Sequence, residues 1–113
     1  MQTVLITGAS AGFGKLVAEK LLAKGYTVYA AARRVEKMRD LESLGAHIMH
    51  MDVTDTESVN AGVAKVIEEQ QRIDVLFNNA GYGSYGTIED VPLEEIQRQY
   101  DVNVFGMGRL VQA

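Results

Sequence analysis

Apolar and polar positions divide the chain into short apolar runs that alternate with longer stretches of helical periodicity. Thr3-Val-Leu-Ile-Thr7 is apolar, rich in β-branched residues and stopped by Gly8, which predicts a buried strand. Strong helix formers follow from Lys15 to Lys24, and Leu16, Val17, Leu21 and Leu22 make a core-facing stripe. The helix is expected over about Gly12 to Lys24, with Gly25 just past its end. Thr27 to Ala32 reads as a second strand, Val35 to Leu44 as a short helix closed by Gly45, and Ala46 to Met51 as a third strand. Thr54 and Glu57 fit a capping box for the next helix, where Val59, Val63, Val66 and Ile67 fall on one face. Ile73 to Phe77 is a fourth strand. Beyond a Gly- and Tyr-rich loop, Tyr82 to Thr87, Pro92 suits the first turn of a helix. Leu93, Ile96, Tyr100, Asn103, Val104, Met107 and Leu110 then recur at helical spacing.

The junction between the first strand and the first helix carries the first chemical signal. Gly8, Gly12 and Gly14 are spaced Gly-x-x-x-Gly-x-Gly. Glycines let a backbone approach a phosphate closely, and the free N–H groups of a first helical turn point at it. The loop is no NTPase P-loop, because Gly14-Lys15 is followed by Leu16 rather than Ser or Thr. At the tip of the second strand stand Ala32, Arg33 and Arg34, with no carboxylate before Glu36. In dinucleotide-binding units an acidic residue in this region holds the adenosine ribose, whereas an arginine accommodates a 2′-phosphate. A guanidinium grips phosphate with paired hydrogen bonds, so the tip favours NADP(H) over NAD(H). A solvated arginine pair opening the next helix is the competing explanation.

Composition narrows the field further. With 113 residues the chain is one domain, 1–113, and its 47% hydrophobic and 23% charged residues are those of an ordinary globular protein. A net charge of −4 leaves no basic stripe for nucleic acid. There is no cysteine, hence no disulfide or thiolate chemistry, and a reducing compartment is compatible. No apolar stretch reaches the roughly 18 residues of a membrane span, and no secretory leader is evident, so a cytoplasmic location is expected. His47 and His50 fall on opposite faces of a strand and are not expected to chelate a metal.

The glycine spacing after Thr7, the Asn78-Asn79-Ala80-Gly81 run straight after the fourth strand, and Asn103 in Asp101-Val-Asn-Val104 occur in that order. Together they resemble the short-chain dehydrogenase/reductase family over the whole chain. The resemblance implies an α/β fold of Rossmann type, a doubly wound parallel sheet with helices on both faces and its strands ordered 3-2-1-4. It implies cofactor contacts from Gly8, Ser10, Gly12, Phe13, Gly14, Arg33 and Arg34, and an adenine contact from Asp52 and Val53. It places Asn78 near the nicotinamide-side ribose and makes Asn79 a brace of the central sheet, with Ala80 and Gly81 in the same cofactor-side turn. Asn103 matches the family's catalytic asparagine, which supports a water-linked proton relay; a polar residue of the core is the other reading.

The implied activity is NADP(H)-dependent hydride transfer to a small-molecule carbonyl, or from a secondary alcohol. The family's proton donor is the tyrosine of a Tyr-x-x-x-Lys pair. None of Tyr26, Tyr29, Tyr82, Tyr85 and Tyr100 has a lysine four positions on. The chain is therefore expected to be the cofactor-binding, N-terminal half of such an enzyme and inactive alone, with a non-catalytic NADP(H)-binding or scaffold module as the alternative. An apolar fourth strand left at the sheet edge leads to an expectation of homo-oligomers.

Overall fold

The computed structural model describes residues 2–10, 12–77, 94 and 109–111. Four parallel strands form one sheet in the order β3-β2-β1-β4. They are β1 (Thr3–Thr7), β2 (Thr27–Ala32), β3 (His47–His50) and β4 (Val75–Phe77). The connecting helices are α1 (Gly12–Ala23), a 3-10 turn (Val35–Met38) continued by α2 (Arg39–Ser43), and α3 (Thr56–Gln70). The expected strand order and fold class are both present.

Strand alternation splits the interior into two cores, one on each face of the sheet. Val4, Ile6, Val28 and Ala30 point to one face, where Ala18 of α1, Met38 and Leu41 close over them. Leu5, Tyr29, Ala31 and Met49 point to the other, where Val59 and Val66 of α3 and, farther along, Leu110 complete the packing. Helices thus lie on both faces, and β1 and β2 are buried through nearly their whole length. That burial explains why their sequences are continuously apolar rather than alternating.

The register joins the carboxyl ends of the strands. Thr7 pairs with Ala31, Ala32 with His50, and Ile6 with Phe77. β4 is pinned at its start, where the amide of Asp74 donates to the Thr3 carbonyl at 2.9 Å. The Asp74 carboxylate in turn accepts from the Thr3 amide at 2.7 Å.

Several local expectations change. Leu16 is 46% exposed; Gly14 and Ala18 are the buried residues of α1, because a helix this close to the sheet seats small residues at the contact. Val17, Leu21 and Leu22 do pack on the core. The helix expected over 35–44 is a 3-10 turn followed by five α-helical residues. The capping box is replaced by Asp55, whose carboxylate accepts from the amides of Glu57 at 3.0 Å and Ser58 at 3.4 Å. Aspartate one residue before the first helical position outcompetes the more distant Thr54 for the first-turn donors. Gly25 and Gly45 end their helices with φ of +88° and +108°, as their positions predict.

Candidate functional site

The carboxyl edge of an open parallel sheet is where such folds place ligands, at the point where strand order reverses. Here the reversal lies between β1, followed in space by β2 and β3, and β4 on its other side. The loop leaving β1 turns at Gly8 with φ of +64°, and α1 starts at Gly12 with φ of +62°. A Cβ on Gly12 would meet nothing within 4 Å. It is the left-handed backbone, and not crowding, that asks for glycine there. Gly8 and Ser10 are half-buried, Gly14 is buried, and the Phe13 ring is 76% exposed at the start of α1. No acidic side chain sits in the first turn of α1, so the turn brings no carboxylate of its own to its amide donors.

Two main-chain bonds draw neighbouring loops onto this turn. The amide of Ala9 donates to the Ala31 carbonyl at 3.2 Å, and the amide of Met51 donates to the Ala32 carbonyl at 3.0 Å. The glycine loop, the Arg33-Arg34 tip and the loop after β3 therefore leave the sheet along one edge. Arg33 and Arg34 are both exposed. Neither forms an ion pair among the described residues. Arg34 precedes the 3-10 turn without capping it by its side chain.

The loop after β3 is closed by its own hydrogen bonds. Asp52 Oδ1 accepts from the Thr54 amide at 3.0 Å and from Thr54 Oγ1 at 2.7 Å. The Asp52 amide donates to Ser58 Oγ at 3.0 Å, so the first turn of α3 holds the loop from below. Asp52 thus has a structural task that helix capping alone did not suggest. Val53 is buried in the core on the α3 face.

Two contacts at this edge have no counterpart in the sequence reading. Lys15, directly after Gly14, bonds Asp40 of α2 at 2.6 Å. That bond holds the Lys15 ammonium above its ordinary pKa and the Asp40 carboxyl below its own. It ties the helix of the glycine turn to the helix beyond the arginine tip. Arg109 Nη1 donates to the Val53 carbonyl at 2.7 Å. Pairing across such sequence distances leaves no periodic signal, although a charged residue beside Leu110 in an apolar stripe is a partial one. Asn78, Asn79, Ala80, Gly81 and Asn103 lie outside the described residues, as do the Tyr82–Thr87 loop and Pro92. His47 is stacked on the Tyr29 ring, with centroids 4.5 Å apart and planes 15° from parallel.

Comparison with known proteins agrees with this architecture. The family model for short chain dehydrogenase matches residues 2–113, and the chain belongs to that family. It is 41% identical to a 3-ketodihydrosphingosine reductase of Bacteroides thetaiotaomicron, over 99% of this chain and 40% of the relative. It is 40% identical to an NADPH-dependent 3-dehydrocapnine reductase of Ornithobacterium rhinotracheale, over 99% of this chain and 41% of the relative. Among solved structures, a short-chain dehydrogenase from Streptomyces avermitilis superposes with a TM-score of 0.95 at 38% identity. That match covers 99% of this chain and 43% of the other. The chain spans about two fifths of the length of the curated relatives it matches. Those relatives are oxidoreductases of the short-chain dehydrogenase type. Among the described residues, no helix is long and apolar enough to cross a membrane.

Proposed function

We propose that this chain is the NADP(H)-binding part, a partial Rossmann domain over residues 1–113, of an oxidoreductase acting on a small-molecule carbonyl or secondary alcohol. The observation that carries the reading is the convergence of three loops on one sheet edge, fastened by the Ala9–Ala31 and Met51–Ala32 main-chain bonds. The residues there suit the cofactor. Gly8 and Gly12 supply left-handed turns, and the first turn of α1 offers amide donors and no carboxylate of its own. Arg33 and Arg34 present exposed guanidinium groups where a 2′-phosphate would lie. One relative's name, an NADPH-dependent reductase, supports the same choice of cofactor.

In this reading Gly8, Ser10, Gly12, Phe13 and Gly14 cradle the diphosphate, and the two arginines bind the ribose phosphate. Asp52 and Val53 receive the adenine. Asn78, Asn79, Ala80 and Gly81 serve the nicotinamide side, and Asn103 supports proton transfer. The nicotinamide supplies a hydride when bound. None of the five tyrosines in these 113 residues stands four positions before a lysine, so the chain itself is proposed to bind cofactor without turning over substrate. The second reading, a non-catalytic NADP(H)-binding module, differs from the first in whether the whole protein carries a Tyr-x-x-x-Lys pair. Homo-oligomers and a cytoplasmic location complete the proposal.

Calorimetric titration with NADPH and NADH tests it. Tighter binding of NADPH is expected, with the preference lost in the Arg33→Ala/Arg34→Ala double variant. Each charge-assisted contact is worth about 1.5–3 kcal/mol when fully formed, so the loss should be tenfold or more. Equal affinity for both cofactors would refute the phosphate assignment. Consumption of NADPH with a simple ketone by the chain alone would refute its proposed inactivity.

A further inference from the structure

The Arg109–Val53 bond joins residues far apart in the sequence at a point that neither the glycine turn nor the arginine tip uses. Its donor has a fixed seat, because the next residue, Leu110, is buried beside Leu5 and Val59 in the core on the α3 face. Its acceptor belongs to the loop after β3, which is joined to β2 at Met51, bonded within itself and held to the start of α3. Asp52 holds Thr54, Ser58 holds the Asp52 amide, and the Asp55 amide donates to the Asp52 carbonyl at 3.0 Å. Those bonds fix the loop's shape and its attachment to α3. Arg109 adds a tether from the segment packed across the same face.

We infer that Arg109 is a positioning residue for the adenine end of the cofactor site. By holding the Val53 carbonyl at 2.7 Å it keeps the Asp52 carboxylate and the Val53 backbone in the placement that receives the adenine amino group. The inference rests on the cofactor reading proposed above. It adds to that reading a residue that touches no part of the cofactor and acts through the loop.

The test compares 2′,5′-ADP with its hypoxanthine analogue, in which a carbonyl replaces the exocyclic amino group. The wild-type chain is expected to bind the adenine compound more tightly. Arg109→Met keeps an unbranched apolar stem and removes the donors. It should lower affinity for 2′,5′-ADP about tenfold, the size of a ~1.4 kcal/mol change, and bring the two compounds close to equal affinity. Arg109→Lys should recover part of the discrimination. A variant that discriminates as well as wild type overturns the role of Arg109 while leaving the cofactor reading intact. Failure of the wild-type chain to bind either compound overturns both. Should Arg109→Met not fold, the wild-type chain still decides the matter through the Arg109 guanidinium resonances in NMR. They are expected to shift on addition of 2′,5′-ADP, and unchanged resonances in the presence of bound ligand overturn the inference.

Discussion

Tyr29 shows how one side chain can serve the fold at three points. Its ring is fully buried at the centre of β2, its hydroxyl donates to Glu69 Oε1 at 2.6 Å, and Gln70 Nε2 donates back to the same oxygen at 3.1 Å. Burial, and after it the bond to Glu69, pushes the phenol above its ordinary pKa. A phenol raised in this way adds stability that is intact below its unfolded value near 10 and is lost as pH climbs through the higher folded value. Tyr29→Phe should therefore cost about 1 kcal/mol at neutral pH, the usual worth of such a bond when its exposed carboxylate partner can be rehydrated. It should also flatten the alkaline fall in the urea midpoint. An alkaline limb as steep in the variant as in wild type would assign that fall to other groups. The Lys15–Asp40 pair is more exposed, and its contribution is expected to fade with added salt.

At the scale of elements, α3 is the most informative. Its N-terminus is held by Asp55, and Asp55→Ala should cost about 1 kcal/mol, within the 0.5–2 kcal/mol typical of a lost N-cap. Its C-terminus ends on Gln71 with φ of +69°, where the amide donates to the Ile67 carbonyl at 2.7 Å. A left-handed residue other than glycine carries a penalty of roughly 1–2 kcal/mol, partly offset against the larger unfolded-state entropy of glycine. Gln71→Gly is accordingly expected to raise stability by about 0.5 kcal/mol, read from the same urea midpoints. No gain would mean that the Gln71 side chain contributes more than its backbone loses. Gly25 and Gly45 were legible as helix stops because glycine is the cheapest left-handed residue. Gln71 was not, since nothing in glutamine signals that conformation. Gly62 was also silent in the sequence: a Cβ there would run into the terminal methyl of the Met51 side chain, which would have to move aside.

At the scale of the molecule, β3 and β4 are the two edges of the described sheet, and Val75 on β4 is 43% exposed. An apolar parallel edge is a template for pairing with another chain. The proposed self-association should appear in light scattering as a mass above that of one chain, rising with concentration. Val75→Lys places a charge on that edge and should shift the population toward monomer. A monomeric wild type at high concentration would remove the oligomer from the proposal.

The sequence by itself determined the four strands and the helices α1 and α3, the burial of β1, the position of the glycine turn and the family. Each of these depends on residues near one another in the chain, where periodicity and backbone preference act directly. Tertiary structure alone decided which residues meet across the folds of the chain. It put Lys15 against Asp40, the Tyr29 hydroxyl against Glu69, His47 on the Tyr29 ring and Arg109 on the Val53 carbonyl. It also turned Leu16 outward and gave the first contact of α1 to Gly14 and Ala18. Helical periodicity selects a face but does not set how near that face comes to a sheet. That distance follows from packing every element at once, and it decides which side chains are small enough to lie between.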